Sequence, residues 1–282
     1  MSLVSSEWLE KNINKVKILD CSWHLPNVNR DPYNEYTQEH IANAIFFDLD
    51  KNSEQNTNLP HMLPDKNTWE KIISLLGIKN NDEVVIYDNS ELISSCRLWY
   101  SFIYFGHKQN LVHVLDWVLK NWKKEKKPTT NKYTKIYASK YTTEEKKNLV
   151  INKKQIDNNI LNKNFELVDA RSKERFEGKE PEPRKDVKSG SIPNSFCLPF
   201  KELINENHTF KDKREIKKKF NNIFGPKLPK DVVFSCGSGI TATVLALAYS
   251  LINNKYVPII YDGSWAEYGK QWKWKDQLKL FQ

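Results

Sequence analysis

Hydrophobic residues occur along the chain in short runs of strand length, separated by longer polar stretches with helical periodicity. The runs are rich in β-branched residues and too short for helices, which predicts buried strands. These strands are expected at residues 16–22, 44–50, 83–88, 111–116, 165–171, 195–200, 231–236 and 257–263. Helices are predicted at 67–78 with Asn67 or Thr68 as N-cap, at 212–224, and from Thr241 to Ile252.

The same pattern occurs twice, at an offset of about 148 residues. The corresponding segments are VVIYD (84–88) and VVFSC (232–236), and LDCS (19–22) and VDARS (168–172). Strands that alternate with helices favour parallel sheets covered by helices. We therefore predict an α/β fold of two tandem domains, residues 1–140 and 141–282, each a mostly parallel sheet with helices on both faces. The lysine-rich segment from Lys123 to Lys147 is the expected linker.

The composition is that of a folded protein outside the membrane. Of the 282 residues, 39% are hydrophobic and 12% aromatic, which is enough for packed cores. No apolar stretch reaches the ~20 residues that span a bilayer, and the N-terminus lacks the apolar segment of a secretory signal. We expect a soluble, cytoplasmic protein with no membrane partner.

The formal net charge of +9 raises the question of nucleic-acid binding. Much of the excess lies in lysine-rich stretches that are interleaved with acidic residues, a pattern typical of a solvated surface. We expect no nucleic-acid partner, although the positive field would attract small anions. The four cysteines form no C-x-x-C pair and no cysteine–histidine cluster, so we expect free thiols and no metal site.

Cys236 ends the seventh predicted strand and begins a glycine-containing segment, CGSGIT. Parallel α/β sheets bind their ligands at the carboxyl ends of strands. Gly237 and Gly239 allow a tight turn around the sulfur, and the helix that begins at Thr241 directs its free N–H groups toward it. Such a cradle favours the thiolate, which predicts a nucleophile; the alternative is a buried core cysteine.

Two comparisons, one with another class of enzyme and one between the two halves of the chain, make this prediction more specific. A tyrosine phosphatase would need an arginine six positions after the cysteine, where this chain has Ala242, so phosphoryl transfer loses its main electrostatic stabiliser. In the first half, Asp88 occupies the position that corresponds to Cys236. We therefore predict a catalytic second domain and an inactive first domain.

The chain resembles the two-domain sulfurtransferases of the rhodanese superfamily, and within them the 3-mercaptopyruvate sulfurtransferases. The resemblance spans nearly the whole chain. It rests on CGSGITA (236–242), VDARSKERFEGKEPEPR (168–184), LDCSWHLPNVNRD (19–31), EHIANAIFFDLD (39–50), HMLP (61–64) and YDGSWAEY (261–268). It implies that Cys236 takes the sulfur of an anionic donor as a persulfide and passes it to a thiol, thioredoxin or cyanide, with no organic cofactor and no metal.

The resemblance also implies roles for individual residues. Arg175 and Arg184 would bind the donor's carboxylate and carbonyl; the alternative for them is an ion pair with Glu174, Glu177 or Glu182. Ser238 would hydrogen-bond the sulfur or the carbonyl, and Asp50 and His61 would complete a proton relay with it. The residues whose loop amides would shelter the sulfur are Gly237, Gly239, Ile240 and Thr241.

The loop also bears on the identity of the donor. Enzymes that prefer thiosulfate, a dianion, are similar to one another in placing basic residues directly after the cysteine, whereas Gly237 and Ser238 are neutral. We expect 3-mercaptopyruvate to be the preferred donor. Two alternatives stay open: a thiosulfate sulfurtransferase, and a non-catalytic carrier that receives a persulfide from another enzyme.

Overall fold

The structure is a computed structural model that describes residues 2–91, 93–116 and 118–270. Within these residues the strands are β1 (Leu3–Val4), β2 (Lys17–Asp20), β3 (His40–Ile41), β4 (Ala44–Phe46), β5 (Val84–Tyr87), β6 (Val112–Leu115), β7 (Thr129–Thr130), β8 (Val150–Ile151), β9 (Glu166–Asp169), β10 (Phe196–Cys197), β11 (Val232–Ser235) and β12 (Ile260–Tyr261). The α-helices are α1 (Ser6–Asn12), α2 (Pro32–Gln38), α3 (Lys66–Leu75), α4 (Ser95–Tyr104), α5 (Leu119–Lys124), α6 (Lys153–Asn162), α7 (Lys173–Phe176), α8 (Lys213–Phe224), α9 (Thr241–Ile252) and α10 (Ser264–Tyr268).

Two five-stranded parallel sheets confirm the predicted fold of two tandem α/β domains. The first has the strand order β1-β6-β5-β2-β4 and the second the order β8-β12-β11-β9-β10. The orders are equivalent, because each strand of the second sheet follows its counterpart at the spacing of the sequence repeat. Strands β5 and β11, which precede Asp88 and Cys236, are central in their sheets.

Both faces of each sheet are buried, which explains the continuous apolar runs of the sequence. Val84 and Ile86 of β5 belong to a hydrophobic cluster on one face, and Val85 and Tyr87 belong to a separate cluster on the other. Strand β11 repeats this arrangement, with Phe234 on one side and Val233 on the other. Alternate residues of a strand point to opposite faces, so each strand contributes to two cores.

The domains meet through α4 and α9, the helices that follow the two corresponding loops. All ten residues of α4 are buried, as is α9 from Ala242 to Tyr249. Helix α9 is apolar on nearly all sides, which is typical of a helix that lies inside a protein. One hydrophobic cluster accordingly contains Trp99 of the first domain together with Leu245 of the second. In the part of the chain that the structure describes, no helix is long and apolar enough to cross a membrane.

Some predicted details differ in the structure. The N-cap of α3 is Asp65, not Asn67 or Thr68, because its carboxylate accepts hydrogen bonds from the backbone amides of those two residues. The predicted linker is not a free connection: part of it forms β7, which pairs antiparallel with β3. Further along, the Ser139 amide donates to the Ser74 carbonyl at 2.8 Å. The last residues of the predicted second domain, 271–282, lie outside the described residues.

Candidate active site

Cys236 lies directly after β11, at the carboxyl edge of the second sheet, and α9 begins five residues later. Its side chain is buried, and the residue is only 2% exposed. The backbone is held from one side by α10: the Cys236 amide donates to Ser264 Oγ at 3.2 Å, and the Cys236 carbonyl accepts from the Trp265 amide at 2.9 Å. These bonds fix where the sulfur can point.

The loop after Cys236 depends on glycine at one position. Gly239 has a φ of +78°, and a Cβ there would lie 3.0 Å from the Asp262 carbonyl oxygen. Both the left-handed backbone and the close approach exclude a larger side chain. Space for a side chain is also limited at Gly237, since a Cβ there would lie 3.2 Å from Arg175 Nη2. That arginine therefore reaches the start of the loop.

The backbone N–H groups of residues 237–241 have no hydrogen-bond acceptor within the described residues. The corresponding loop of the first domain is filled by its own anion. There the Asp88 carboxylate accepts from the Ser90 amide and from the Ser95 amide, each at 2.9 Å. Because unpaired amides beside a helix N-terminus favour negative charge, the second loop is suited to an anion supplied from outside.

Ser238, His61 and Asp50 form a chain of contacts across the two domains. His61 Nδ1 lies 2.9 Å from Ser238 Oγ, and His61 Nε2 lies 3.1 Å from Asp50 Oδ1. Trp23 donates from Nε1 to the other Asp50 oxygen at 2.8 Å and packs edge-on against the His61 ring. Ser238 and His61 are buried, whereas the Asp50 side chain is 63% exposed. The structure thus brings together the three residues that the sequence analysis selected for a relay.

The pKa of Asp50 lies below its usual value. Partial desolvation of the carboxylate alone would raise this pKa, but the hydrogen bonds with His61 and Trp23 and the charge interactions with His61 and Arg184 together outweigh it. Asp50 is therefore a carboxylate throughout the neutral pH range. A carboxylate at this position holds one imidazole nitrogen of His61 and leaves the other facing Ser238.

Arg175 is paired, as the alternative interpretation of the sequence anticipated, but the pair is not an ordinary surface pair. Its guanidinium donates to both oxygens of Glu182, at 3.2 and 2.6 Å, and the Glu182 side chain is only 3% exposed. Glu182 also accepts from Arg171 at 2.7 Å, and Arg171 is paired with Asp169. Two carboxylates therefore balance two guanidinium groups at this wall of the site.

Arg184 differs from Arg175 because its guanidinium has no hydrogen-bond or ion-pair partner within the described residues. It is partly buried, and burial is the main cause of the lowering of its pKa. A thiolate at Cys236 opposes this effect, as do the carboxylates of Glu182 and Asp186, while the positive charge of Arg175 adds to it. Arg184 thus lies close enough to Cys236 for their charges to interact, and within the described residues no carboxylate forms a direct ion pair with it.

The other three cysteines lie in environments that oppose ionisation. Burial, and then the charge of Asp88, raises the pKa of Cys21 and of Cys96 well above the usual value. Burial also raises the pKa of Cys197, to about 12. In residues 2–91, 93–116 and 118–270, no three cysteine, histidine, aspartate or glutamate side chains are grouped so that they could hold a metal ion.

Sequence reasoning missed three residues that shape the site: Trp23, Arg97 and Asp262. Trp23 and Asp262 lie within motifs that were noted for other reasons, and Asp262 immediately follows β12 at the same sheet edge as Cys236. That position after a strand was an available signal for Asp262. No sequence pattern indicated that Arg97, within an apolar helix of the other domain, would contact this loop.

Comparisons with known proteins agree with this architecture. The rhodanese-like domain family matches residues 5–125 and 152–271. Two relatives are "Thiosulfate/3-mercaptopyruvate sulfurtransferase 1, mitochondrial" of Arabidopsis thaliana, 38% identical over 95% of this chain and 76% of the relative, and the 3-mercaptopyruvate sulfurtransferase of Mus musculus, 34% identical over 95% and 91%. The crystal structure of SseA from Escherichia coli, described among 3-mercaptopyruvate sulfotransferases, superposes with a TM-score of 0.82 at 27% identity, covering 94% of this chain and 99% of that one.

The environment of Asp50 generates a testable prediction. A Trp23→Phe substitution removes the hydrogen bond to Asp50 Oδ2, so the pKa of Asp50 should rise. Because the pKa of folded Asp50 is lowered, its stabilising contribution is present above the pKa of the unfolded chain and is lost as the pH falls through the folded pKa. The variant should lose that contribution at a higher pH than the parent.

Carboxyl-carbon NMR titration of Asp50 measures this effect directly. Trp8→Phe is the control, because Trp8 packs against His113, away from the site. An Asp50 titration that is the same in Trp23→Phe and in the parent protein would contradict the role assigned to the tryptophan.

Proposed function

The chain belongs to the rhodanese family, and we propose that it is a sulfurtransferase that takes the sulfur of 3-mercaptopyruvate onto Cys236 and passes it to a thiol, thioredoxin or cyanide. One observation carries this proposal. Cys236 lies at a loop whose amides have no acceptor within the described residues, beside the unpaired guanidinium of Arg184. A site of this kind suits a nucleophilic sulfur and a small anionic donor.

Arg184 is the residue best suited to bind the donor's carboxylate. Its planar guanidinium can donate two parallel hydrogen bonds to a carboxylate, and no side chain in the described structure forms a hydrogen bond or a direct ion pair with it. Arg175 reaches Gly237, where it can donate to the donor while Glu182 holds it in place. Together the two arginines would orient the donor's sulfur toward Cys236.

The first half-reaction forms one bond and breaks another. The Cys236 thiolate attacks the donor's sulfur, the S–S bond forms, the C–S bond breaks, and its electron pair leaves as the enolate of pyruvate. The donor's thiol proton remains on the outer sulfur of the Cys236 persulfide. The enolate then takes a proton and becomes pyruvate.

The contacts around Ser238 support a source for that proton. Ser238 can donate from Oγ and be reprotonated through His61, whose ring is held by Asp50. In the second half-reaction an acceptor thiolate attacks the outer sulfur, the S–S bond breaks, and the Cys236 thiolate is restored. The free loop amides of residues 237–241 would stabilise the negative sulfur at both stages.

The same proposal covers the rest of the chain. We assign no transfer step to the first domain, because the carboxylate of Asp88 occupies its loop. The reaction uses side chains and backbone amides only, so the proposal includes no organic cofactor or metal. A cytoplasmic location remains part of the proposal, although one relative is described as mitochondrial.

Thiosulfate is the second candidate donor, since one relative is described by both substrates. The arrangement of charge favours 3-mercaptopyruvate, a monoanion, over thiosulfate, a dianion. Gly237 and Ser238 are neutral, and Glu182 compensates the charge of Arg175. A non-catalytic persulfide carrier is the remaining alternative, and it would show slow turnover with free mercaptopyruvate but transfer to a specific protein partner.

The persulfide is the first expected outcome. Incubation with 3-mercaptopyruvate should release pyruvate and add about 32 Da, one sulfur atom, to the peptide that contains Cys236. Mass spectrometry without reductant locates the added sulfur, and a Cys197→Ser variant is the control. A Cys236→Ser variant that still released pyruvate would contradict the proposal.

The donor preference is a separate prediction. We expect kcat/KM to be higher with 3-mercaptopyruvate than with thiosulfate, because the described site offers one guanidinium without a direct ion pair, that of Arg184, for a single carboxylate. Steady-state kinetics with cyanide as a common acceptor compare the two donors. A preference for thiosulfate would show that the charge argument is wrong while leaving the persulfide chemistry intact.

The two arginines should both matter for the donor. Arg184→Ala and Arg175→Ala should each lower kcat/KM for 3-mercaptopyruvate, because charge-assisted hydrogen bonds to the donor are lost. The loss of transition-state stabilisation should be about 2–4 kcal/mol in each variant. The larger effect is expected at Arg184. Arg214→Ala, an exposed position in α8, is the matched control. Unchanged kinetics in both active-site variants would contradict donor binding by Arg175 and Arg184 and would leave them a purely structural role.

A further inference from the structure

Arg97 belongs to the first domain, yet its side chain lies against the active-site loop of the second. It is buried in α4, where it forms an ion pair with Asp262 at 2.7 Å. The guanidinium also donates from Nη1 to the Gly239 carbonyl at 3.2 Å and from Nη2 to the His61 carbonyl at 2.5 Å. Burial of an arginine is costly unless its donors are satisfied, so these contacts mark a specific arrangement rather than a general gain in stability.

The two carbonyls that Arg97 binds belong to residues with left-handed backbones. Gly239 has a φ of +78°, and His61, which is not a glycine, has a φ of +59°. A non-glycine residue in this region is strained and persists where its surroundings hold it. Arg97 is one of the groups that hold it.

Asp262 extends this contact to the other side of the His61 turn. One of its oxygens pairs with Arg97, and the other accepts from the Leu63 amide at 3.0 Å. A single buried ion pair therefore binds the chain at His61, at Leu63 and at Gly239. Ser238 adjoins Gly239, so the ion pair fixes both partners of the 2.9 Å contact between His61 Nδ1 and Ser238 Oγ.

We propose that Arg97, through its ion pair with Asp262, is a positioning residue that holds His61 of the first domain against Ser238 of the second. Arg97 itself need not touch the donor. Hydrogen bonds weaken steeply with distance and angle, and a displacement of about 1 Å in a site can cost on the order of 10²-fold in rate. The kinetic consequence of this proposal rests on the function proposed above.

The competing explanation is that Arg97 only stabilises the contact between the domains. Tyr100 offers a matched control, because it is buried in the same helix and its hydroxyl donates to the Leu149 carbonyl at 2.6 Å. Tyr100→Phe therefore removes a buried hydrogen bond from α4 to a distant segment of the chain, while phenylalanine keeps the ring whose centroid lies 5.9 Å from the Arg97 guanidinium carbon.

The experiment compares Arg97→Lys, Asp262→Asn and Tyr100→Phe in the full chain with 3-mercaptopyruvate as donor. Lysine keeps the charge beside Asp262 but cannot bind both carbonyls. We expect kcat to fall by about 10–100-fold in Arg97→Lys, with a KM within about threefold, because Arg175 and Arg184 are untouched. The pH profile of kcat should change shape in the same variant. Tyr100→Phe should leave kcat and its pH profile unchanged, whatever its effect on Tm.

A second measurement does not depend on catalysis. The imidazole NMR signals of His61, identified by their loss in His61→Gln, should shift in Arg97→Lys and Asp262→Asn but not in Tyr100→Phe. Unmoved signals in both positioning variants, or an equal loss of kcat in Arg97→Lys and Tyr100→Phe, would overturn the proposal.

These results separate the two levels of the proposal. If the parent protein does not turn over 3-mercaptopyruvate, the proposed function fails and the NMR shifts still decide the role of Arg97. If Arg97→Lys does not fold, Asp262→Asn decides the proposal, because asparagine keeps the shape of the side chain and an oxygen for the Leu63 amide.

Discussion

The buried contact between α4 and α9 is the constraint on which the site depends. Both helices are buried along most of their length and contribute many apolar side chains to the core, so neither can be exposed without a large loss of buried hydrophobic surface. Their packing brings His61 and Asp50 of the first domain to Ser238 of the second. Neither domain alone contains the complete group, which gives the first domain a part in the site although its own loop is occupied by Asp88.

The two corresponding loops differ in length, and they also differ in how the backbone amides of each loop are satisfied. In the first domain the Asp88 carboxylate takes the amides of Ser90 and Ser95, so the loop satisfies itself. In the second domain a thiol replaces the carboxylate, and the amides of residues 237–241 have no acceptor within the described residues. The same helix and strand therefore frame a closed structural turn in one copy and a site for an incoming anion in the other.

Charge at the site is set locally and not by the net charge of +9. Glu182 lies between Arg171 and Arg175, and Asp169 balances the remaining charge, so that wall of the site is close to neutral. Arg184 is left without a direct ion pair in the described part of the chain, although the charges of Glu182 and Asp186 still act on it. Buried carboxylates thus determine how many guanidinium groups are available to a donor, a property that counting basic residues in the sequence cannot reveal.

The sequence by itself determined the elements and the position of the thiol. Apolar runs at fixed spacing predicted two parallel sheets, and the strand, Cys236 and Gly239 predicted a turn at the sheet edge, because these patterns depend on local periodicity and backbone freedom. Resemblance to known motifs supplied Asp50, His61, Arg175 and Arg184 as candidates. Only the tertiary structure decided their partners: that Arg175 is paired with Glu182, that Arg184 is not paired within the described residues, and that Arg97 binds His61 and Gly239. Those contacts join residues that are far apart in the chain, and their geometry follows from how the two domains pack, which no local pattern encodes.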